Sequence, residues 1–186
     1  MYCAGIDAGS RAVKCVVIER DTGKVAASGM TDQGVHQQKL AAELFGRVLA
    51  EAGIGREDVG RIVATGYGRN LLEMADTTIT EITCHARGVH HVLPEARTVV
   101  DIGGQDSKLI RLDQGGTVRD FAMNDRCAAG TGRFLEVVAE RLDVPLEGLG
   151  ELARTAEQPA PISSMCVVFA ETEIIGLLAS GTSAED

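Results

Sequence analysis

Two short turns in the sequence combine residue types that suit phosphate binding. They are DAGS at residues 7–10 and DIGG at residues 101–104, and each follows a short apolar run that predicts a strand entering a tight turn. Glycine has no Cβ, so backbone N–H groups in such turns can approach a bound anion closely. A carboxylate beside them suits a hydrated Mg²⁺ that accompanies phosphates. We therefore expect both turns to bind nucleotide phosphates, with an ordinary turn-forming aspartate as the alternative.

The two turns belong to a weak internal repeat with an offset of 94 residues. Lys14 stands seven residues beyond Asp7, and Lys108 stands seven residues beyond Asp101, each within a predicted second strand. An offset of this length is too long for a solenoid and predicts a duplicated fold whose two turns converge on one cleft. The alternative is a chance alignment of an aspartate, a glycine and a lysine.

The cysteines indicate a second kind of chemistry. The five are scattered without a C-x-x-C pair, which argues against a disulfide framework and against a zinc knuckle within one chain. Cys127 lies in a glycine-rich turn ahead of an amphipathic segment, and Cys166 precedes an apolar run. Both are predicted at helix N-termini, where unpaired N–H groups favour a thiolate. Free thiols packed in the core are the better interpretation for the others, which are Cys3, Cys15 and Cys84.

Length and charge restrict the class of protein. With 186 residues the chain can bury a real core in one or two domains. The net charge of −9 argues against a nucleic-acid or anionic-membrane surface. No apolar run approaches the roughly 20 residues of a membrane span, and the N-terminus lacks the features of a signal peptide. We expect a cytoplasmic protein without nucleic-acid or membrane partners.

Hydrophobic periodicity predicts a mixed α/β chain with two domains. Predicted strands include residues 13–18, 25–30 and 61–65, and predicted helices cover 36–52, 81–93, 131–142, 147–153 and 167–179. Ser163 or Ser164 is expected to cap the last helix. The glycine turn at residues 66–69 is open to interpretation as a hinge, a ligand loop or a structural turn. Residues 1–95 are assigned to a first domain and 96–186 to a second, which we expect to be C-terminally incomplete.

Six segments together resemble the ATP-dependent activators of 2-hydroxyacyl-CoA dehydratases and the related ATPase subunits of benzoyl-CoA reductases. The segments are GIDAGSRAVKC at 5–15, TGYGR at 65–69, EITCHARG at 81–88, DIGGQDSK at 101–108, NDRCAAGTGRF at 124–134 and SSMCVVFAETE at 163–173. The resemblance implies the α/β fold of the actin-like ATPase superfamily, which is ribonuclease H-like, with a duplicated β-meander plus helices.

The resemblance also implies a cofactor and a mechanism. A homodimer of the family holds one [4Fe-4S] cluster between its subunits, and the matching cysteines here are Cys127 and Cys166. A cubane cluster takes four thiolates, so two cysteines from each of two symmetry-related chains would complete it. The implied mechanism is that ATP binding and hydrolysis change the angle between the cluster-bearing helices. One electron then passes into a partner 2-hydroxyacyl-CoA dehydratase or a related reductase component.

By the same resemblance, Asp7 and Asp101 would position the hydrated Mg²⁺, and Gln105 or Glu171 would orient the attacking water. The residues expected to bind ATP or ADP are Asp7, Gly9, Ser10, Lys14, Asp101, Gly103, Gly104, Gln105 and Asp106. The family's glycine-rich adenosine-binding segment lies beyond residue 186, so weak ATP affinity is expected for this chain. The alternatives are a cluster-free nucleotide-binding or regulatory module and a small-molecule kinase, although the sequence offers no clear catalytic acid for a kinase.

Overall fold

The computed structural model describes all residues from Met1 to Asp186 as eight strands and five α-helices. The strands are β1 Tyr2–Ala8, β2 Ala12–Glu19, β3 Val25–Asp32, β4 Val59–Thr65, β5 Thr77–Thr78, β6 Thr98–Ile102, β7 Ser107–Leu112 and β8 Val118–Asn124. The helices are α1 Gln37–Ala52, α2 Glu81–Val92, α3 Gly132–Arg141, α4 Leu149–Arg154 and α5 Val167–Ala179. These bounds confirm the strands and helices predicted from hydrophobic periodicity.

The strands form two sheets. The first has the order β3-β2-β1-β4-β5, with β1, β2 and β3 antiparallel and β4 parallel to β1. The second has the order β6-β7-β8. The chain divides into two compact units, one of Met1–Val99 with Ile110–Asp120 and one of Val100–Leu109 with Phe121–Asp186.

The core of the first unit lies between the first sheet and α1. Alternate residues of β1 and β2 are buried, among them Ile6, Val13 and Val17, which is the period of a strand with one covered face. Leu44 and Val48, four residues apart on α1, are also buried in this core. The helix ends at Gly53, whose φ of 66° is the left-handed conformation that glycine adopts without steric cost.

Strand pairing brings three polar residues to the same end of the first sheet. Asp7 lies opposite Lys14 in the antiparallel pair and opposite Thr65 in the parallel pair. Because side chains alternate along a strand, these residues lie on the face away from Ile6 and α1. The hydrophobic pattern of β1 therefore determines which face presents its carboxylate.

The second unit contains α3, α4 and α5. Val137 and Ala139 of α3 and Ala170 and Ile174 of α5 are buried, and α3 packs against α5. The helices and the C-terminal residues 182–186 line an open pocket of about 260 Å³, mainly with apolar side chains. The hydrophobic interior of this unit is thus built largely by helices, whereas that of the first unit is built by a sheet and one helix.

Glycine turns and cysteine loops as the candidate site

The first glycine turn, residues 7–10, is a closed hairpin turn. The N–H of Gly9 donates to the carbonyl of Ala12 at 3.1 Å. Lys14 Nζ lies 2.9 Å from Asp7 Oδ2 in an ion pair. A cavity of about 570 Å³ beside this pair is lined by Asp7, Lys14 and Thr65 among others. The hydroxyl of Thr65 is buried without a hydrogen-bond partner, so an unpaired polar group lies next to the turn.

The second glycine turn, residues 101–106, repeats this geometry. The N–H of Gly103 donates to the carbonyl of Asp106 at 2.8 Å, as Gly9 does to Ala12. Lys108 Nζ lies 3.4 Å from Asp101 Oδ2. The backbone bond and the aspartate–lysine pair therefore occur in both copies, which supports the duplication inferred from the sequence.

The two lysines differ in their surroundings. The side chain of Lys14 is 52% exposed, whereas that of Lys108 is 3% exposed. Lys108 also pairs with Asp106 at 2.7 Å, and the side chain of Asp106 is 5% exposed. A half-exposed ammonium can reach a bound anion, whereas one held between two carboxylates acts as a fixed internal charge. The sequence places Asp106 among the nucleotide-binding residues, and the structure directs its carboxylate to Lys108.

The glycine turn at residues 66–69 packs directly on the first glycine turn. The N–H of Gly68 donates to the carbonyl of Ala8 at 2.9 Å. Gly66 has a φ of 88°, and a Cβ placed there would lie 2.6 Å from the carbonyl carbon of Ala8 and would also collide with the Asp7 carboxylate. Of the interpretations left open by the sequence, the contacts favour a supporting turn.

Replacing Gly66 by Ala is expected to destabilise the protein more than replacing Gly53 by Ala. Both glycines have positive φ, but a Cβ at Gly53 would meet nothing within 4 Å. Gly53→Ala should therefore cost only the left-handed backbone penalty of about 1–2 kcal/mol. Gly66→Ala adds a collision with backbone, worth roughly 1–3 kcal/mol more. Urea denaturation of both variants measures the difference, and equal midpoints would show that the two turns are not in close contact.

The Cys127 loop, residues 125–131, lies between β8 and α3. Cys127 was predicted at a helix N-terminus, and this prediction is wrong because the N-cap of α3 is Thr131, four residues later. The sulfur nevertheless receives a backbone donor, since the N–H of Ala129 lies 3.4 Å from Cys127 Sγ. Asn124 Nδ2 donates to the carbonyls of Cys127 at 3.0 Å and of Ala129 at 3.3 Å. The loop is therefore organised by hydrogen bonds rather than by the helix itself.

Cys166 is the N-cap residue of α5, so its predicted position at a helix N-terminus is confirmed. The prediction that Ser163 or Ser164 caps this helix is wrong. Both serines instead donate to the carboxylate of Glu173, with the N–H and hydroxyl of Ser163 each at 3.0 Å and the N–H of Ser164 at 3.1 Å. These donors, the Ser163 N–H foremost, lower the pKa of Glu173 to about 2.

The five cysteines separate into two classes. Cys127 and Cys166 are exposed free thiols. Cys15 is buried, and burial raises the pKa of its thiol to about 11. Cys3 and Cys84 are half-buried, one on β1 and one on α2, as the sequence predicted. Only the two exposed cysteines therefore have the accessibility that a ligand shared with another chain requires.

The second glycine turn is hydrogen-bonded to the start of α3. The N–H of Gly132 donates to the carbonyl of Gly103, and the N–H of Arg133 donates to the carbonyl of Gly104, both at 2.9 Å. These N–H groups belong to the first turn of α3, where backbone N–H groups have no acceptor within the helix. The turn and the end of the Cys127 loop are therefore one connected unit.

The two residues proposed to orient water lie in different settings. Gln105 is exposed at the tip of the second glycine turn. Glu171 lies on α5, where its carboxylate forms an ion pair with Arg141 of α3. That ion pair gives Glu171 a role in packing α3 against α5.

Asn124 and Glu173 were not predicted to be functional residues. The motifs around the two cysteines contain both residues, but nothing in residue type or period shows which carbonyl or N–H group a side chain reaches. No group of three or more His, Cys, Asp or Glu side chains is arranged to hold a metal ion. None of the helices has the length and apolar character needed to cross a lipid bilayer.

Comparison with solved structures defines the class of protein. Component A of the (R)-2-hydroxyglutaryl-CoA dehydratase of Acidaminococcus fermentans superposes with a TM-score of 0.93 at 43% identity, over 100% of this chain and 71% of that chain. The activator of the 2-hydroxyisocaproyl-CoA dehydratase of Clostridium difficile, solved with bound ADPNP, gives 0.91 at 41% identity, over 100% and 69%. The fold is that of the actin-like ATPases, as the sequence predicted.

The chain belongs to the BadF/BadG/BcrA/BcrD ATPase family, which matches residues 4–186. The activator of lactoyl-CoA dehydratase from Anaerotignum propionicum is 46% identical over 98% of this chain and 70% of its own length. A benzoyl-CoA reductase component from Thauera aromatica is 37% identical over 97% of this chain and 65% of its own length. The resemblance predicted from the six sequence segments is thus confirmed.

Proposed function

We propose that this chain is an ATP-dependent electron-transfer activator that reduces a 2-hydroxyacyl-CoA dehydratase or a related reductase. Relatives that match nearly the whole chain at 37–46% identity are dehydratase activators and a component of benzoyl-CoA reductase. The observation that carries the proposal is the hydrogen-bonded connection between the second glycine turn and α3, because it joins the turn proposed to bind nucleotide to the end of the Cys127 loop.

The glycine turns supply the ATP or ADP site in this proposal. A relative of 41% identity has been solved with bound ADPNP. The N–H groups of Ser10 and Gly104 would contact phosphate oxygens, and the half-exposed Lys14 would neutralise phosphate charge. Gly9 and Gly103, whose N–H groups close the two turns, would let the phosphates approach the backbone because they have no Cβ. Asp7 and Asp101 would hold the waters of Mg²⁺. Gln105, exposed beside the turn, is the better candidate of the two for orienting the attacking water.

Cys127 and Cys166 are the proposed ligands of a [4Fe-4S] cluster shared by the two chains of a homodimer. Their chemistry fits, since both are exposed thiols and Cys127 Sγ receives a backbone N–H bond of the kind that stabilises cluster sulfurs. Met165 and Phe169, which flank Cys166, are 78% and 67% exposed. Apolar side chains at this exposure suit burial against a second copy. When bound, such a cluster carries single electrons at low potential.

The hydrogen bonds between α3 and the second glycine turn would couple the nucleotide state to the Cys127 loop. A change of the second glycine turn on nucleotide binding or hydrolysis would move the carbonyls of Gly103 and Gly104, and with them the first turn of α3. The Cys127 loop ends at Thr131, immediately before those donors. The nucleotide state would thereby alter the position of one cluster ligand.

Anaerobic reconstitution with iron and sulfide tests the proposal. We expect about four iron and four sulfide per two chains, together with the mass of a dimer. Nucleotide binding is measured on the same sample by calorimetry with ADP. An iron-free monomer after reconstitution would overturn the proposal, and nucleotide binding without iron would instead favour a regulatory module.

A further inference from the structure

Asn124 closes the Cys127 loop. It is the last residue of β8, and its side-chain amide donates to the carbonyls of Cys127 at 3.0 Å and Ala129 at 3.3 Å. These two bonds hold the Cys127–Ala128 and Ala129–Gly130 peptide groups. In this arrangement the Ala129 N–H is directed at Cys127 Sγ, 3.4 Å away. The Thr131 hydroxyl and N–H both donate to the Ala128 carbonyl, at 2.5 and 3.1 Å, so residues 127–131 are held by side-chain and backbone hydrogen bonds.

Glu173 holds the segment before Cys166 in an equivalent way. The carboxylate lies on α5, seven residues after Cys166, and accepts three hydrogen bonds from Ser163 and Ser164. The segment thereby lies against the helix that it precedes. These donors, the Ser163 N–H foremost, stabilise the charged form and lower the pKa of the Glu173 carboxyl to about 2. The acceptor therefore stays ionised throughout the physiological pH range.

We propose that Asn124 and Glu173 are positioning residues that hold Cys127 and Cys166 in the geometry of the cluster site. The inference rests on the proposed function and adds the residues that prepare the ligands. Cys127 and Cys166 are both exposed, so little packing restrains their loops. Side-chain hydrogen bonds outside the ligand set orient metal ligands, and their loss typically lowers metal affinity 10- to 100-fold.

The choice of residue type follows from the bonds. Asn124 must donate to two carbonyls, and an aspartate of the same shape can only accept. Glu173 must accept three donors, which a carboxylate does with two oxygens. Asn124→Asp and Glu173→Ala therefore remove the bonds while leaving the cysteines in place.

Matched neighbours provide the controls. Asp125, the exposed residue after Asn124, is replaced by Asn, and Glu140, exposed on α3, is replaced by Ala. Iron loss to a chelator is followed anaerobically in reconstituted protein. We expect iron loss about tenfold faster or more in Asn124→Asp and Glu173→Ala, and within about twofold of the parent in both controls. Asn124→Asp should also lower the midpoint potential, because the Ala129 N–H is no longer held toward Cys127 Sγ and a negative charge is added beside the loop.

Amide exchange in the iron-free protein separates this inference from the proposed function. We expect faster exchange across residues 125–130 in Asn124→Asp and across residues 162–166 in Glu173→Ala, with parent-like exchange in the other helices and strands. Parent-like iron loss and potential in both variants would overturn the inference, and so would equal losses in the controls. A parent protein that takes up no iron refutes the proposed function. Unchanged amide exchange in the same samples would then refute the positioning role as well.

Discussion

Serine in place of Cys127 or Cys166 is expected to reduce iron after anaerobic reconstitution to background. In the proposed cluster, shared by two chains, each substitution would remove half of the thiolate ligands. A hydroxyl cannot replace them, because it remains protonated at neutral pH. Iron and sulfide are measured together with the visible absorption of the cluster.

Cys3 and Cys84 provide the controls for this experiment. Both are half-buried on regular elements, so Cys3→Ser and Cys84→Ser should retain the iron content of the parent. Cys15 is less suitable, since it is buried and a serine there would lose packing in the core. If both Cys127→Ser and Cys166→Ser retained iron, Cys127 and Cys166 would be excluded as ligands, independently of the iron content of the control variants.

Replacing Lys108 by Met is expected to destabilise the protein by about 3–5 kcal/mol. Lys108 is buried between the carboxylates of Asp101 and Asp106, at 3.4 and 2.7 Å. Methionine has a similar length but no charge, so it would leave two acidic groups without this counter-charge. Chemical denaturation measures the free energy of unfolding.

The equivalent lysine of the first copy is the matched control. Lys14 pairs with Asp7 but is 52% exposed, so Lys14→Met should cost at most about 1 kcal/mol. The double variant Lys108→Met with Asp106→Asn should recover part of the loss, because one uncompensated charge is removed. Similar losses for Lys14→Met and Lys108→Met would show that burial does not distinguish the two copies.

The sequence predicted the elements well because their hydrophobic periods are clear. The predicted helix at 36–52 is observed as Gln37–Ala52, and that at 167–179 as Val167–Ala179. The repeat also predicted the two equivalent turns, since a fixed offset between aspartate and lysine gives the same hairpin register. The family followed from motifs spread along nearly the whole chain.

The details of the candidate site depended on contacts that no pattern encodes. The same aspartate and lysine spacing gives an exposed pair in one copy and a buried one in the other, because only the second copy has an additional acidic partner, Asp106. The start of α3 was predicted to within one residue, but Cys127 lies four residues before the N-cap Thr131 and not at the helix N-terminus itself. Asn124 and Glu173 are recognisable only from their hydrogen-bond partners.

The bonds from Gly132 and Arg133 to the carbonyls of Gly103 and Gly104 have a thermodynamic consequence. Two ligands that share a structural element must influence each other equally, because the free energy of coupling is the same in both directions. If nucleotide occupancy changes how firmly Cys127 holds iron by some factor, loading with iron must change the affinity for nucleotide by that same factor. Measurements of nucleotide affinity on iron-free and iron-loaded protein therefore give the free energy of coupling between the nucleotide site and the Cys127 loop.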